Sequence, residues 1–152
     1  MSNGTTIMCW FKANSTGAAA YHQVFDMAAG IGQAFQLYLD LTVPAHGRMV
    51  LFWPDSTYAG PDIFLAEGVW YHLALCLKDS NISLYLNGAL LYSADPVAST
   101  VLSQKVEFSD GNAGLDQWYD ICIADKYFTA ETIAWYYADR LTGGANSLPP
   151  GA

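Results

Sequence analysis

Residues 68–93, GVWYHLALCLKDSNISLYLNGALLYS, limit what this chain can fold into more than any other stretch. Val69, Tyr71, Leu73, Leu75 and Leu77 alternate with Trp70, His72, Ala74, Cys76 and Lys78. A period of two divides a strand between the two faces of a sheet. Asp79-Ser80 turns the chain, and Ile82, Leu84 and Leu86 repeat the alternation. Asn87-Gly88 is a strong hairpin signal, because a type I′ turn needs positive φ at both central residues. ALLYS, 89–93, then returns, so the segment predicts three consecutive antiparallel strands.

The same patterning marks further strands at TIMCWFK (6–12), HQVFDMA (22–28), FQLYLDL (35–41), RMVLFW (48–53), DIFLA (62–66), KVEFS (105–109) and WYDICIA (118–124). Turn clusters lie at 14–17, 44–47, 58–61 and 110–114. About ten short strands at this spacing predict an all-β fold, a sandwich or a jelly roll. One helix closes it. Thr129 can cap it, Glu131 sits in its first turn and Arg140 in its last, each complementing the helix dipole. Ile133, Tyr136, Tyr137 and Leu141 fall on one side, and Gly143-Gly144 ends it. There is neither a repeat nor a linker, which predicts one domain over 1–142 and a tail over 143–152.

Charge narrows the partners. Six basic residues stand against fourteen acids, for a formal net charge of −8. The basic residues are scattered singly, which argues against nucleic acid and against an anionic membrane surface. No run reaches the length of a membrane span, so no membrane insertion is expected. The first residues lack the basic start and apolar core of a signal peptide, which predicts synthesis in the cytoplasm. Cys9, Cys76 and Cys122 all sit in strand-like runs without a Cys-x-x-Cys pair, and read as buried core thiols.

The order of the motifs resembles the laminin G-like branch of the concanavalin A-like lectin/glucanase superfamily. Trp70-Tyr71-His72-Leu73-Ala74 followed by Leu84-Tyr85-Leu86-Asn87-Gly88 is similar to the family's central hairpin. Ile7 to Lys12, with Trp10, is similar to its first strand. Tyr119 to Ile123 with Phe128-Thr129-Ala130-Glu131-Thr132-Ile133 is similar to its closing strand and short helix. The glycine that usually opens that closing strand is missing, and Gln117-Trp118 stands in its place. The resemblance implies an all-β, antiparallel two-sheet jelly-roll sandwich with one short C-terminal helix, and a structural role for His72 beside Trp70. It also implies a calcium at the rim, for which Asp26, Asp110 and Asp116 are candidate ligands; the plain reading of 110–116 is a polar turn.

The family's glucanases use a Glu-x-Asp-x-x-Glu strand, which Glu67, Glu107 and Glu131 do not reproduce, so no catalytic residue is assigned. Sugars need an aromatic platform beside planar hydrogen-bonding groups. Trp53, Asp55 and Tyr58 offer that mixture, as do Asn112, Asp116, Trp118 and Tyr119, although the same aromatics could cover a sheet edge or a subunit contact. Two functions are therefore expected. One is a non-catalytic, lectin-like structural or decorating subunit of a large assembly such as a virus or phage particle, displayed on the virion surface among other protein subunits, with weak glycan binding through its loops. The other is a stand-alone carbohydrate-binding or adhesion module, calcium-dependent in one version and extracellular after processing. No cofactor beyond that calcium is expected.

Overall fold

The computed structural model describes residues 4–12, 21–28, 34–40, 47–53, 56–63, 65–66, 68–78, 81–94, 105–107 and 117–142. Ten strands and one helix follow in chain order: β1 Thr5–Lys12, β2 Tyr21–Ala28, β3 Ala34–Asp40, β4 Gly47–Trp53, β5 Ser56–Ile63, β6 Trp70–Lys78, β7 Asn81–Leu86, β8 Ala89–Ala94, β9 Lys105–Glu107, β10 Gln117–Ala124 and α1 Ala130–Leu141. All pairings are antiparallel. One five-stranded sheet, sheet A, has the order β10-β1-β6-β7-β8; the other, sheet B, has the order β5-β4-β3-β2-β9.

In sheet A, β1 and β6 are central and buried on both faces. One face carries Thr6, Met8 and Trp10 beside Cys76, Ala74 and His72, and the other carries Ile7, Cys9 and Phe11 beside Leu75, Leu73 and Tyr71. The helix α1 covers the first of these faces. Ile133 enters a cluster with Met8, Ala74, Cys76 and Tyr85, and Cys122, Tyr127, Phe128 and Tyr136 pack around it. Thr129 caps the helix by accepting a hydrogen bond from Thr132 N, as its sequence position predicts. Thr6 anchors the approach to α1: its hydroxyl donates to Lys126 O at 2.7 Å and accepts from Phe128 N at 3.0 Å.

The Asn87-Gly88 turn does more than reverse the chain. Both residues have positive φ, 50° and 78°, as a type I′ turn requires. Asn87 also clips the backbone of His72, accepting from His72 N through its Oδ1 at 2.9 Å and donating its own N–H to His72 O at 2.8 Å. A Cβ on Gly88 would stand 3.0–3.2 Å from Tyr137 of the helix.

Two expectations need correction. The strand placed at DIFLA, 62–66, begins earlier: β5 runs Ser56–Ile63, through the supposed turn at Tyr58–Pro61, and Leu65 and Ala66 lie beyond it. β5 is an edge strand, and its register with β4 shifts between Arg48↔Asp62 and Val50↔Ala59. An edge bulge is where a sheet tolerates Gly60-Pro61, since no ladder bond is lost there. Leu141, assigned to the buried side of the helix, is 47% exposed, whereas Ile133 is fully buried and Tyr136 and Tyr137 are half-buried. It occupies the last turn, past the part of α1 that packs on the sheet. The expected helix stop at Gly143-Gly144 and the tail over 143–152 lie outside the described residues.

Gly88→Ala is expected to lower stability by about 1–3 kcal/mol, since it adds both left-handed strain and a contact with Tyr137. A urea midpoint equal to that of the parent chain would show that the turn relaxes freely.

Candidate functional site

Three neighbouring strands of sheet A each place an aromatic pair at the same end. β1 ends with Trp10-Phe11, β6 begins with Trp70-Tyr71, and β10 begins near Trp118-Tyr119. The register sets them side by side, with Phe11 paired to Tyr71 on one flank and to Trp118 on the other, and Trp10 paired to Tyr119. Trp10, Phe11, Trp70 and Tyr71 are buried. They line both faces of sheet A at this end: Trp10 and Trp70 lie on the face that α1 covers, and Phe11 and Tyr71 on the other, their rings 5.8 Å apart. Trp118 and Tyr119 stand at the outer margin on the edge strand, and Tyr119 is half-buried.

The edge strand is bent just beyond this pair. Between Met8↔Cys122 and Trp10↔Tyr119 its register shifts, so that Asp120 and Ile121 together oppose Cys9. Asp120 takes φ 51°, the left-handed conformation that Asp tolerates better than most residues. The bulge directs its carboxylate to α1. Asp120 Oδ2 accepts from Tyr136 Oη at 2.7 Å and pairs with Arg140 Nε at 2.8 Å. Arg140 Nη2 donates to Tyr136 Oη at 3.0 Å, and the guanidinium lies 4.7 Å from the Tyr136 ring centre. Burial is the main cause that pushes the Tyr136 phenol up to about 12, so it remains a neutral donor.

His72 lies under the same helix. It is completely buried, and its ring centre sits 5.3 Å from Trp10, 5.7 Å from Tyr136 and 5.9 Å from Tyr137. Among the described residues neither ring nitrogen has a hydrogen-bond partner, and Trp70 Nε1 has none either. Loss of solvation dominates and lowers the imidazole to about 4; Asp120 raises it in part and Arg140 adds to the lowering. At neutral pH His72 is therefore an uncharged member of an aromatic cluster with no acid or base in hydrogen-bonding reach, consistent with the structural role that the sequence implies. Trp10 on the adjacent strand is in ring contact with His72, and Trp70 stands two residues before it on the same face of β6.

The remaining candidates divide. Trp53 closes β4 opposite Ser56, and Tyr58 pairs with Leu51, so β4 and β5 bring these two aromatic positions within two pairing steps. Trp118 and Tyr119 share the opening of β10. The Trp53/Tyr58 and Trp118/Tyr119 positions belong to different sheets. Asp55, Asn112 and Asp116 lie outside the described residues, as does Asp110. Asp26 is placed within β2, paired with Gln36 on one side and Glu107 on the other. Among the described residues no group of three or more His, Cys, Asp or Glu side chains could hold a metal, so they do not by themselves assemble a calcium site. Glu131 is exposed in the first turn of α1, where hydrogen bonds from its own backbone N–H and from Thr129 hold its carboxyl below the usual range.

The Asp120 latch escaped the sequence reading because nothing in WYDICIA announces a bulge. The one available signal was the missing glycine at the opening of that strand. Cys9, Cys76 and Cys122 are all free, and burial pushes all three thiols up, away from the reactive thiolate.

A family model described as the concanavalin A-like lectin/glucanases superfamily, of the laminin G type, matches residues 1–129. The chain belongs to this family, and its fold is of the family's antiparallel jelly-roll class. A search of curated proteins returned no match. Among solved structures, the chain is similar to the binding domain of botulinum neurotoxin serotype D, with a TM-score of 0.70 and 14% identity over 93% of this chain and 38% of that one. It is similar to the receptor-binding domain of type G, with a TM-score of 0.65 and 11% identity over 90% and 38%. It also matches a type C structure, with a TM-score of 0.66 and 13% identity over 91% and 36%; that toxin depends on interaction with two ganglioside molecules to enter cells. At these identities the likeness is one of fold, and the chain spans well under half the length of each of these neighbours.

Two outcomes follow from this geometry. Asp120→Asn keeps a residue that tolerates positive φ but removes the charge, and is expected to lower stability by about 1–3 kcal/mol in urea unfolding. An unchanged midpoint would mean that the Arg140 pair contributes nothing. In the folded chain at pH 8, Cys9 and Cys76 are expected to resist a disulfide reagent until denaturant is added, with half-buried Cys122 reacting first; rapid labelling of Cys9 would contradict its burial.

Proposed function

We propose that this chain is a non-catalytic, lectin-like module that binds carbohydrate at an aromatic rim. The observation that carries this reading is the aromatic end of sheet A. Trp118, paired with buried Phe11, and Tyr119, paired with buried Trp10, open edge strand β10 at positions on its two faces. A sugar ring stacks on an aromatic plane and is oriented by a few polar groups, and a platform that is already fixed spends little ordering entropy on binding. Membership of a lectin-bearing superfamily supports the reading, and so does the fold shared with domains of toxins that engage gangliosides. Trp53 and Tyr58 at the β4–β5 turn are the second candidate platform.

A specific observation favours a second reading, a subunit packed among other proteins, as on a particle surface. Ile121 and Ile123 on edge strand β10 are 45% and 53% exposed, and Trp135 on α1 is 65% exposed. Large apolar side chains in such positions suit a protein contact.

A glycan array that includes glycolipid headgroups, run with calcium and with chelator, tests the first reading. Binding is expected, and Trp118→Ala or Trp53→Ala is expected to weaken it at least about tenfold, the loss of one stacking contact being on the order of 1.4 kcal/mol. Binding to no glycan in either condition would overturn the carbohydrate reading and leave the subunit reading, which sedimentation with particles from the native source would test.

A further inference from the structure

We propose that α1 is an acid-released latch: protonation of His72, sealed beneath the helix without an acceptor for either ring nitrogen, lifts α1 from sheet A while the β6–β7 hairpin stays paired. This inference is independent of the carbohydrate reading.

The geometry carries it. A neutral imidazole can lie among Trp10, Tyr136 and Tyr137 at the cost of unsatisfied polar atoms. An imidazolium has two N–H donors and a charge, and among the described residues neither donor would find an acceptor here. The titratable or charged groups around it come from two directions: Tyr136, Tyr137 and Arg140 from α1, and Asp120 and Cys122 from β10. Tyr85 and Cys76 lie further along the same face, while β1 presents Trp10 and the hairpin turn presents Asn87, neither of which takes a charge. Among the described residues Asp120 is the one anion near His72, and its carboxylate is already held by Arg140 and Tyr136, both from α1. A charged His72 therefore either competes with the helix for Asp120 or gains water by displacing the helix. Both routes loosen α1.

The hairpin has separate supports. The backbone of His72 is clipped to Asn87, and Leu73 to Lys78 pair with Leu86 to Asn81. None of these bonds passes through α1. Release would uncover Met8, Trp10, Ala74 and Tyr85, an apolar face hidden at neutral pH.

The sign follows from burial. With α1 docked, His72 binds its proton only near pH 4, and in the released state near its ordinary 6.5. The released state gains protons first, so docking weakens as pH falls from 6.5 and the loss is complete below about 4. Over that interval the opening equilibrium is expected to rise on the order of 100-fold.

Hydrogen–deuterium exchange of the full chain between pH 7 and pH 4, with labelling times scaled to the intrinsic rate at each pH, tests this. Peptides from 130–142 are expected to lose protection on the order of 100-fold, while those from 70–78 and 81–86 keep theirs. His72→Phe, which retains a ring among the aromatics, is expected to keep α1 protected at pH 4. The latch is overturned if α1 stays protected in the parent chain, if helix and hairpin lose protection together, or if His72→Phe opens as the parent does, which would assign the effect to Asp120 alone. Should that variant not fold, NMR titration of the His72 ring in the parent chain decides: a titration coincident with loss of the α1 amide signals supports the latch, and one that leaves them unmoved refutes it.

Discussion

The pairing of β1 with β6 is the constraint on which the rest of sheet A depends. Both strands are buried on both faces, so their alternation does not distinguish an inner from an outer side, and apolar pattern alone would permit a slip by one residue. Polar groups remove that freedom. Thr6 must face Lys126 O and Phe128 N, and a slip would turn its hydroxyl to the opposite face. The clip between Asn87 and the backbone of His72 fixes β7 against β6 at the other end. Two polar anchors thus hold a register that the intervening isoleucines, leucines and methionine then fill.

The helix is seated by a similar division of labour. Ile133 supplies the apolar contact and is the one wholly buried side chain of α1. Burying a branched aliphatic side chain contributes about 1.5–3 kcal/mol, but such contacts are not directional. Direction comes from Asp120, whose bulged backbone aims a carboxylate at Tyr136 and Arg140, one turn apart on α1. The same bulge interrupts an exposed edge, a common device by which a sheet discourages further strands from adding to it. One residue in an unusual conformation therefore seats a helix and guards an edge.

Much of this was legible in the chain. The alternation in VWYHLALCLK and ISLYLN, with Asn87-Gly88, gave β6, β7 and β8 nearly to the residue, because local pattern and turn chemistry agree there. Thr129, Glu131 and Ile133 likewise marked the helix start. Tyr58–Pro61 misled because Gly-Pro reads as a turn unless the strand is known to lie at an edge, and edge position is a property of the sheet. The exposure of Leu141 was hidden because helical periodicity does not say where the neighbouring sheet stops. For the candidate site, the aromatic residues were visible but their alignment was not: Trp10, Trp70 and Trp118 are far apart in sequence, and only the register of three strands brings their positions to one end.

The central position of β1 also bears on synthesis. Of the strands described it is made before the rest, yet its partners are β6 and β10, the latter completed only at Ala124. Chain order and hydrogen-bonding order are therefore opposed. While the ribosome works through the strands between, β1 must wait with its Ile-Met-Cys-Trp-Phe run unpaired, the sort of segment that nascent-chain chaperones hold. Sheet A cannot close around β1 until residues 70–124 have emerged, so its assembly rests on contacts distant in sequence.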